Sequence, residues 1–308
     1  MRYCLTRLAG AVPTLFVIVT IAFFLIRAAP GGPFDQEQAL APQIKANLDS
    51  AYGLDQPIWT QYGRYLAALA HGDFGPSFKY KDFSVTELIG QGFPVTLELG
   101  AIAMTLALGL GIPIGTLAAL HQNSAADYAA MSLAVVGIAI PSFVVLPFLG
   151  LLFGLYWHWL PVAGWEPGSL RHLVLPVIAL ALPPLSVIAR LVRASMLEVL
   201  GSHYIRTAVA KGLPLRTVIL RHALRPALLP VASYLAPAVA SIMTGSLVVE
   251  SIAGLPGVGR YMVQGALNRD YTLVLGMVII YSTLLIVMGL VVDLLYAWLD
   301  PRVRLQRW

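Results

Sequence analysis

The sequence predicts an all-α polytopic membrane protein with about six transmembrane helices, and three observations carry that reading. Apolar residues fill 58% of the 308 positions and charged residues only 11%, less than half of the roughly 25% charged residues of a soluble domain. Six uncharged stretches, 8–26, 99–123, 128–157, 173–189, 226–249 and 271–292, are each near or above the roughly 20 residues a helix needs to cross about 30 Å of hydrocarbon. None of the six alternates apolar with polar positions, so helices, not a closed barrel, satisfy the backbone in lipid.

The first stretch follows Arg2 and Arg7 and is nineteen residues long, beyond the roughly 7 to 15 of a cleavable hydrophobic region. Residues 1–30 therefore read as an uncleaved signal anchor with a cytosolic N-terminus, with cleavage near Ala28 and Ala29 as the alternative. The single Cys4 excludes a disulfide scaffold. Residues 31–92 form an external segment of Pro and Gly turns in which Ile58, Tyr62, Tyr65, Leu66 and Leu69 share one helical face, a small helical cap. Residues 93–293 form the main transmembrane module, and 294–308 a cytosolic tail.

Charge sets the orientation. Cytosolic segments would hold Arg2, Arg7, Arg190, Arg193, Arg206, Lys211, Arg216, Arg221, Arg225, Arg302, Arg304 and Arg307, and short external loops Arg171, Arg260 and Arg269. That bias obeys the positive-inside rule and places both termini in the cytosol. The segment 190–225 is the large cytosolic loop and carries seven of the twenty Lys and Arg residues. Prolines at 13, 113, 141, 147, 176, 183, 184, 230 and 237 lie in or beside five of the stretches. They fit either ordinary membrane-helix enrichment or a set of helices that rock between two states.

Several chemistries are excluded. None of the four lysines, Lys45, Lys79, Lys81 and Lys211, follows a glycine in a phosphate-binding motif, and no protease or hydrolase motif occurs. Glu98, Asp127, Glu250, Asp270 and Asp293 fall at the edges of the stretches, where they read as solvated charges. Nearly ion-free spans weigh against a secondary transporter and for energy supplied from outside the bilayer.

In the 190–225 loop, Gly212 ends one short helix and Pro214 suits the first turn of the next, whose Leu215, Val218, Ile219 and Leu224 form an apolar stripe beside Arg216, Arg221 and Arg225. Such a helix can lie on anionic lipid or offer a knob to a groove in another protein. The fifth stretch carries Ser233, Pro237, Ser241 and Thr244 on one face, either lining a path or bonding neighbouring helices. Gly111-x-x-x-Gly115 and Gly150-x-x-x-Gly154 carry little weight, since such pairs arise often by chance in apolar helices.

The segment Arg206-Thr207-Ala208-Val209-Ala210-Lys211-Gly212 resembles the EAA loop of binding-protein-dependent ABC importer permeases. Ala208 and Gly212 match the pattern, Arg206 and Thr207 replace its first two residues, and Leu228-Leu229-Pro230 fits its downstream element with shifted spacing. Tyr52-Gly53-Leu54-Asp55-Gln56-Pro57-Ile58, His71-Gly72-Asp73-Phe74-Gly75-Pro76-Ser77 and Glu250-Ser251-Ile252-Ala253-Gly254-Leu255-Pro256-Gly257 are similar to the external loops of the peptide and nickel branch. Gly75-Pro76-Ser77-Phe78-Lys79-Tyr80-Lys81-Asp82 narrows the likeness to its oligopeptide B-type subunits.

The resemblance implies a type I ABC importer permease fold and no enzymatic activity in this chain. Its partners would be a second homologous permease, two ATPase subunits that bind ATP and Mg, an external solute-binding protein, membrane lipid and a peptide substrate, with no nucleic acid and no cofactor in the chain itself. It implies a bacterial inner-membrane location. Arg206, Ala208, Lys211, Gly212, Leu213 and Pro214 would couple to the ATPases. Ser233, Ser241 and Thr244 would line the path, and Glu250, Pro256 and Gly257 would belong to an external gate loop. Swinging a gate from 1:99 to 99:1 needs roughly 5.5 kcal/mol, which such a loop would have to transmit. A stand-alone secondary transporter or channel, or a membrane-embedded assembly factor, are the rival readings.

Overall fold

The computed structural model describes residues 2–29, 31–34 and 42–299. Arg302, Arg304, Arg307 and residues 300–308 of the tail lie outside the described residues, as do the side chains of Arg2, Cys4, Arg7 and Asp293. In chain order the helices are α1 (Arg2–Ala28), α2 (Pro42–Ala51), α3 (Ile58–Ala70), α4 (Val85–Leu120), α5 (Ala125–Ala139), α6 (Ser142–Leu149) with a π-helical extension Gly150–Tyr156, and α7 (Arg171–Leu200). There follow α8 (His203–Ala210), α9 (Leu215–Thr217), a second π-helical stretch Val218–Ala223, α10 (Leu224–Ala227), α11 (Leu229–Ala253), α12 (Val258–Leu267) and α13 (Tyr271–Leu299). Among the described residues an isolated bridge between Pro76 and Ser84 is the only extended pairing.

Five of these helices are long and apolar enough to cross a membrane alone, and the bent pair Ala125–Ala139 and Ser142–Tyr156 makes the sixth candidate. The sequence reading of 128–157 as one continuous span is corrected here. The chain turns by 104° between the two halves, because Ile140, next to Pro141, is held extended at φ −94°, ψ 119° and Pro141 cannot continue the helical ladder. By contrast, Pro176, Pro183 and Pro184 are accommodated inside an unbroken α7. Helix α4 begins at Val85 and α7 runs to Leu200, so the first part of segment 190–225 is helical.

The start of α4 has a local cause. Ser84 and Glu87 form a reciprocal capping box: the Ser84 backbone N–H donates to Glu87 Oε2 (2.8 Å) and the Glu87 N–H to Ser84 Oγ (3.2 Å). A related arrangement starts α5, where the Asp127 N–H donates to Oγ of the N-cap Ser124 (3.2 Å) and Asp127 Oδ2 accepts from the N–H of Asn123, the residue before the cap (2.9 Å).

The chain divides into two compact units. The first combines the chain up to Leu97 with Leu255–Leu284. Its core has two clusters. Val19 and Phe23 of α1, Tyr65 of α3, and Leu275 and Ile279 of α13 are buried together, with Tyr62, Leu66 and Leu69 packed around them. Thus the amphipathic face expected over 58–69 is used, except for Ile58, which is exposed. Helix α3 is tied to α1 by the Thr20 and Tyr62 hydroxyls (2.6 Å), by the Arg27 Nε–H donating to Gln61 (3.1 Å), and by the Arg27 guanidinium, which stacks 3.6 Å from the Phe23 ring centroid. Val85, Leu88 and Ile89 of α4 form the second cluster with Val258, Leu273 and Met277. Burial raises the Tyr65 phenol above its ordinary range; burial, followed by neighbouring Tyr261, does the same to Tyr80, so both stay neutral at physiological pH.

The second unit combines Glu98–Gly254 with the chain from Leu285. Helix α7 is its centre, packed by α5, α6 and α11 and burying thirteen of its residues, among them Leu180, Ile188 and Met196. Close backbone approach holds α4 against it. A Cβ on Gly115 would sit 2.3 Å from the Ala189 carbonyl oxygen, and one on Gly111 2.9 Å from that of Leu185. Gly154 is equally confined, 2.5 Å from Val162 Cγ2. The glycine pairs given little weight on sequence are therefore packing contacts in this chain.

Candidate coupling and translocation surfaces

The segment between α7 and α11 is built around one turn. Helix α8 buries Ile205 and Ala208 and exposes Arg206, while Lys211, Gly212, Leu213 and Pro214 are all exposed. Gly212 has φ +75°, its N–H donates to the Val209 carbonyl (2.9 Å), and the Leu213 N–H reaches the Ala208 carbonyl (3.4 Å). These two bonds are a Schellman closure, which requires a left-handed residue and so selects glycine. Pro214 is the extended N-cap of α9, one residue before the helix proper, and its carbonyl accepts from Thr217 and Val218. The expected first-turn placement is thus shifted by one.

The expected stripe Leu215, Val218, Ile219, Leu224 does not form one buried face. Val218 is 1% exposed, whereas Leu215, the first residue of α9 beside the exposed turn, is 65% exposed, and the π-helical stretch Val218–Ala223 changes the regular spacing between Val218 and Leu224. The exposed apolar surface consists instead of Tyr204, Val209, Leu213, Leu215 and Leu220. The Tyr204 hydroxyl donates to the His222 carbonyl (3.4 Å) and so braces α8 against the π-helical stretch.

On α11, Ser233, Pro237, Ser241 and Thr244 are exposed along one face, while Val231, Ala238, Ile242, Met243 and Val249 are buried on the other. The Ser233 and Thr244 hydroxyls donate to Leu229 and Ala240 of their own helix (3.3 and 2.9 Å). Among the described residues these two hydroxyls bond only their own helix. Glu250, near the end of α11 in the second unit, is fully buried, and Gly254 at φ +69° closes that helix. In the first unit, Pro256 is half-buried and Gly257 buried as the N-cap of α12, whose Val258 N–H donates to Thr96 Oγ1 (3.0 Å).

The reading of the acidic residues as solvated edge charges is corrected. Glu98 is exposed within α4, but Asp127, Glu250 and Asp270 are 1%, 0% and 0% exposed. Asp127 takes both Nε (2.5 Å) and a terminal nitrogen (2.6 Å) of Arg193 in a bidentate pair linking α5 to α7. The Ser124-x-x-Asp127 pattern was the sequence signal for its ordered position. Asp270 accepts the Ser77 hydroxyl (2.5 Å) and the amides of Phe78 (3.1 Å), Lys79 (3.3 Å) and Leu273 (3.1 Å). Nearby, Tyr80 donates to Gln264. One buried carboxylate thus holds the 77–79 turn to the start of α13. We expect Asp270→Ala to cost about 3 kcal/mol, because it strands several buried donors at once, and to raise hydrogen exchange at the Phe78 and Lys79 amides. Unchanged exchange there would show that the turn is held by other contacts.

Comparison with known proteins places this framework. The profile described as binding-protein-dependent transport system inner membrane component matches residues 111–305, and that of the corresponding N-terminal region residues 1–100. The chain is 54% identical over 304 residues to the oligopeptide transport system permease protein OppB of Escherichia coli K12, with 99% of each chain covered. It is 45% identical over 306 residues to the dipeptide transport system permease protein DppB of Bacillus subtilis, again with 99% of each covered. Among solved structures, a chain of the inward-facing MetNI methionine ABC transporter aligns with a TM-score of 0.55 at 16% identity, covering 69% of this chain and 96% of that one. The structural likeness concerns fold alone, whereas the near full-length identities go further and disfavour a stand-alone transporter. The chain belongs to the family of binding-protein-dependent transport system inner membrane components, the permease subunits of ABC importers.

Proposed function

We propose that this permease forms, with a second homologous permease, the path by which short peptides enter the cell, and that two ATPase subunits drive it through the turn at Gly212. A solute-binding protein delivers the peptide from outside. The observation that carries the reading is the exposed turn itself. Ala208 and Ile205 anchor it from beneath, the Schellman closure fixes its shape, and Val209, Leu213 and Leu215 present apolar surface beside Arg206 and Lys211. A fixed apolar knob ringed by cations is suited to a groove in a partner protein. Peptide cargo is supported by the names of the relatives and by the exposed Ser and Thr face of α11, whose small polar groups suit a substrate with variable side chains and constant amides. The turn and both termini lie in the cytosol on this reading, and residues 250–257 belong to the external gate.

Thiol labelling tests the path. With Cys4 replaced by serine, a cysteine at Ser241 or Thr244 should react with a water-soluble thiol reagent in at least one nucleotide state of the assembled complex, while one at buried Ile242 should not. Protection of both 241 and 244 in every state would assign this face to packing against the partner permease.

A further inference from the structure

We propose that a groove between α5 and α7 binds the phosphate headgroup of an anionic phospholipid, with Arg190 as the recognising cation. The groove has a volume of about 450 Å³ and is lined by Met131, Val187, Arg190, Leu191, Arg193 and Ala194. Val187, Arg190, Leu191 and Ala194 stand at positions i, i+3, i+4 and i+7 of one face of α7 with Arg193 beside them, and Met131 lies one turn from Asp127 on α5.

The two arginines differ in what answers their charge. Arg193 is committed to Asp127 through two hydrogen bonds. Arg190 is exposed and has neither an ion pair nor a hydrogen bond among the described residues. The Arg193–Asp127 pair being neutral as a unit, the lining carries one net positive charge, from Arg190. Arg190 ends the uncharged run 173–189 of α7, and Asp127 immediately precedes the uncharged run that opens at Tyr128 on α5. The Asp127–Arg193 bond fixes both helices at the same level, so the groove straddles the boundary between hydrocarbon and headgroups.

Met131, Val187 and Leu191 supply apolar walls on one side of that boundary, and Arg190 supplies a guanidinium at the other. Val135, one turn beyond Met131 on the same face of α5, is exposed and continues the apolar surface available to an acyl chain. A free phosphate would use the cation and leave the walls in water. A zwitterionic lipid brings its own counter-charge to the site. An anionic diacyl lipid uses both parts, as basic pockets between membrane helices do.

Native mass spectrometry of the purified full-length chain, with phosphatidylglycerol or phosphatidylcholine added, tests this. Wild type should retain phosphatidylglycerol, Arg190→Gln should retain about fivefold less, Arg190→Lys should keep most of it, and phosphatidylcholine retention should be insensitive to both substitutions. If Arg190→Gln does not yield folded chain, Met131→Trp decides, since filling the groove from the α5 side should also release the lipid. Equal phosphatidylglycerol retention by wild type and the variant overturns the proposal. So does displacement of the lipid by inorganic phosphate, which would make this a simple anion site, or by a short peptide, which would assign the groove to cargo.

Discussion

Replacing Gly212 by leucine is expected to leave the permease inserted and assembled while transport falls on the order of tenfold or more, the range that a coupling free energy of ~1–3 kcal/mol spans. The residue stands at φ +75°, and a Cβ there meets nothing within 4 Å in this chain. Its intrinsic cost is therefore left-handed backbone strain alone, about 1–2 kcal/mol. That is too little to dismantle the α7 core, where Ile188, Val192 and Met196 are fully buried. The side chain would instead project from the exposed turn into whatever docks there. Gly212→Ala separates the two terms, carrying the strain without the bulk, and Leu197→Ala serves as a control away from the turn. Transport and substrate-stimulated ATP hydrolysis by the purified complex give the readout. Wild-type transport by Gly212→Leu would remove the coupling role, and loss of the complex would assign the glycine to assembly.

The largest effect on stability is expected at Gly115. Any Cβ there would lie 2.3 Å from a backbone oxygen of α7 and 2.8 Å from Val192 Cβ, and neither can swing aside as a flexible side chain would. Helix α4 would have to shift away, so Gly115→Leu should destabilise by about 3 kcal/mol or more, the upper end of overpacking costs. Gly109 is on the same helix with open space at its Cβ, and Gly109→Leu should change stability by no more than about 0.5 kcal/mol, as exposed substitutions do. Denaturation of the purified chain in mixed micelles measures both. Similar stabilities for the two variants would mean that the α4 and α7 backbones separate at little cost.

How much of this was legible beforehand follows from what each residue type encodes. The long apolar runs and the glycine-proline turn at 212–214 were readable because length in lipid and positive φ are local demands, written into composition and into single residues. The break at Pro141 was not distinguished from Pro176, Pro183 and Pro184 inside α7, since a proline's neighbours decide whether the helix continues. The same limit applies to charge. Ser124-x-x-Asp127 marks Asp127 as a helix-start residue, but whether it, Glu250 or Asp270 is a buried clamp or a solvated edge depends on what the fold brings from elsewhere in the chain, such as Arg193 at a separation of 66 residues. Gly111 and Gly115 show the converse, a motif frequent by chance whose meaning depended on the helix packed against it.

ATP-driven passage of peptides through this chain and a second permease is tested most directly by reconstituted uptake. Proteoliposomes holding this chain with the second permease and the ATPases, supplied with binding protein and a short labelled peptide, should accumulate label only when ATP and every subunit are present. Uptake by this chain alone, driven by an ion gradient without ATP, would contradict it.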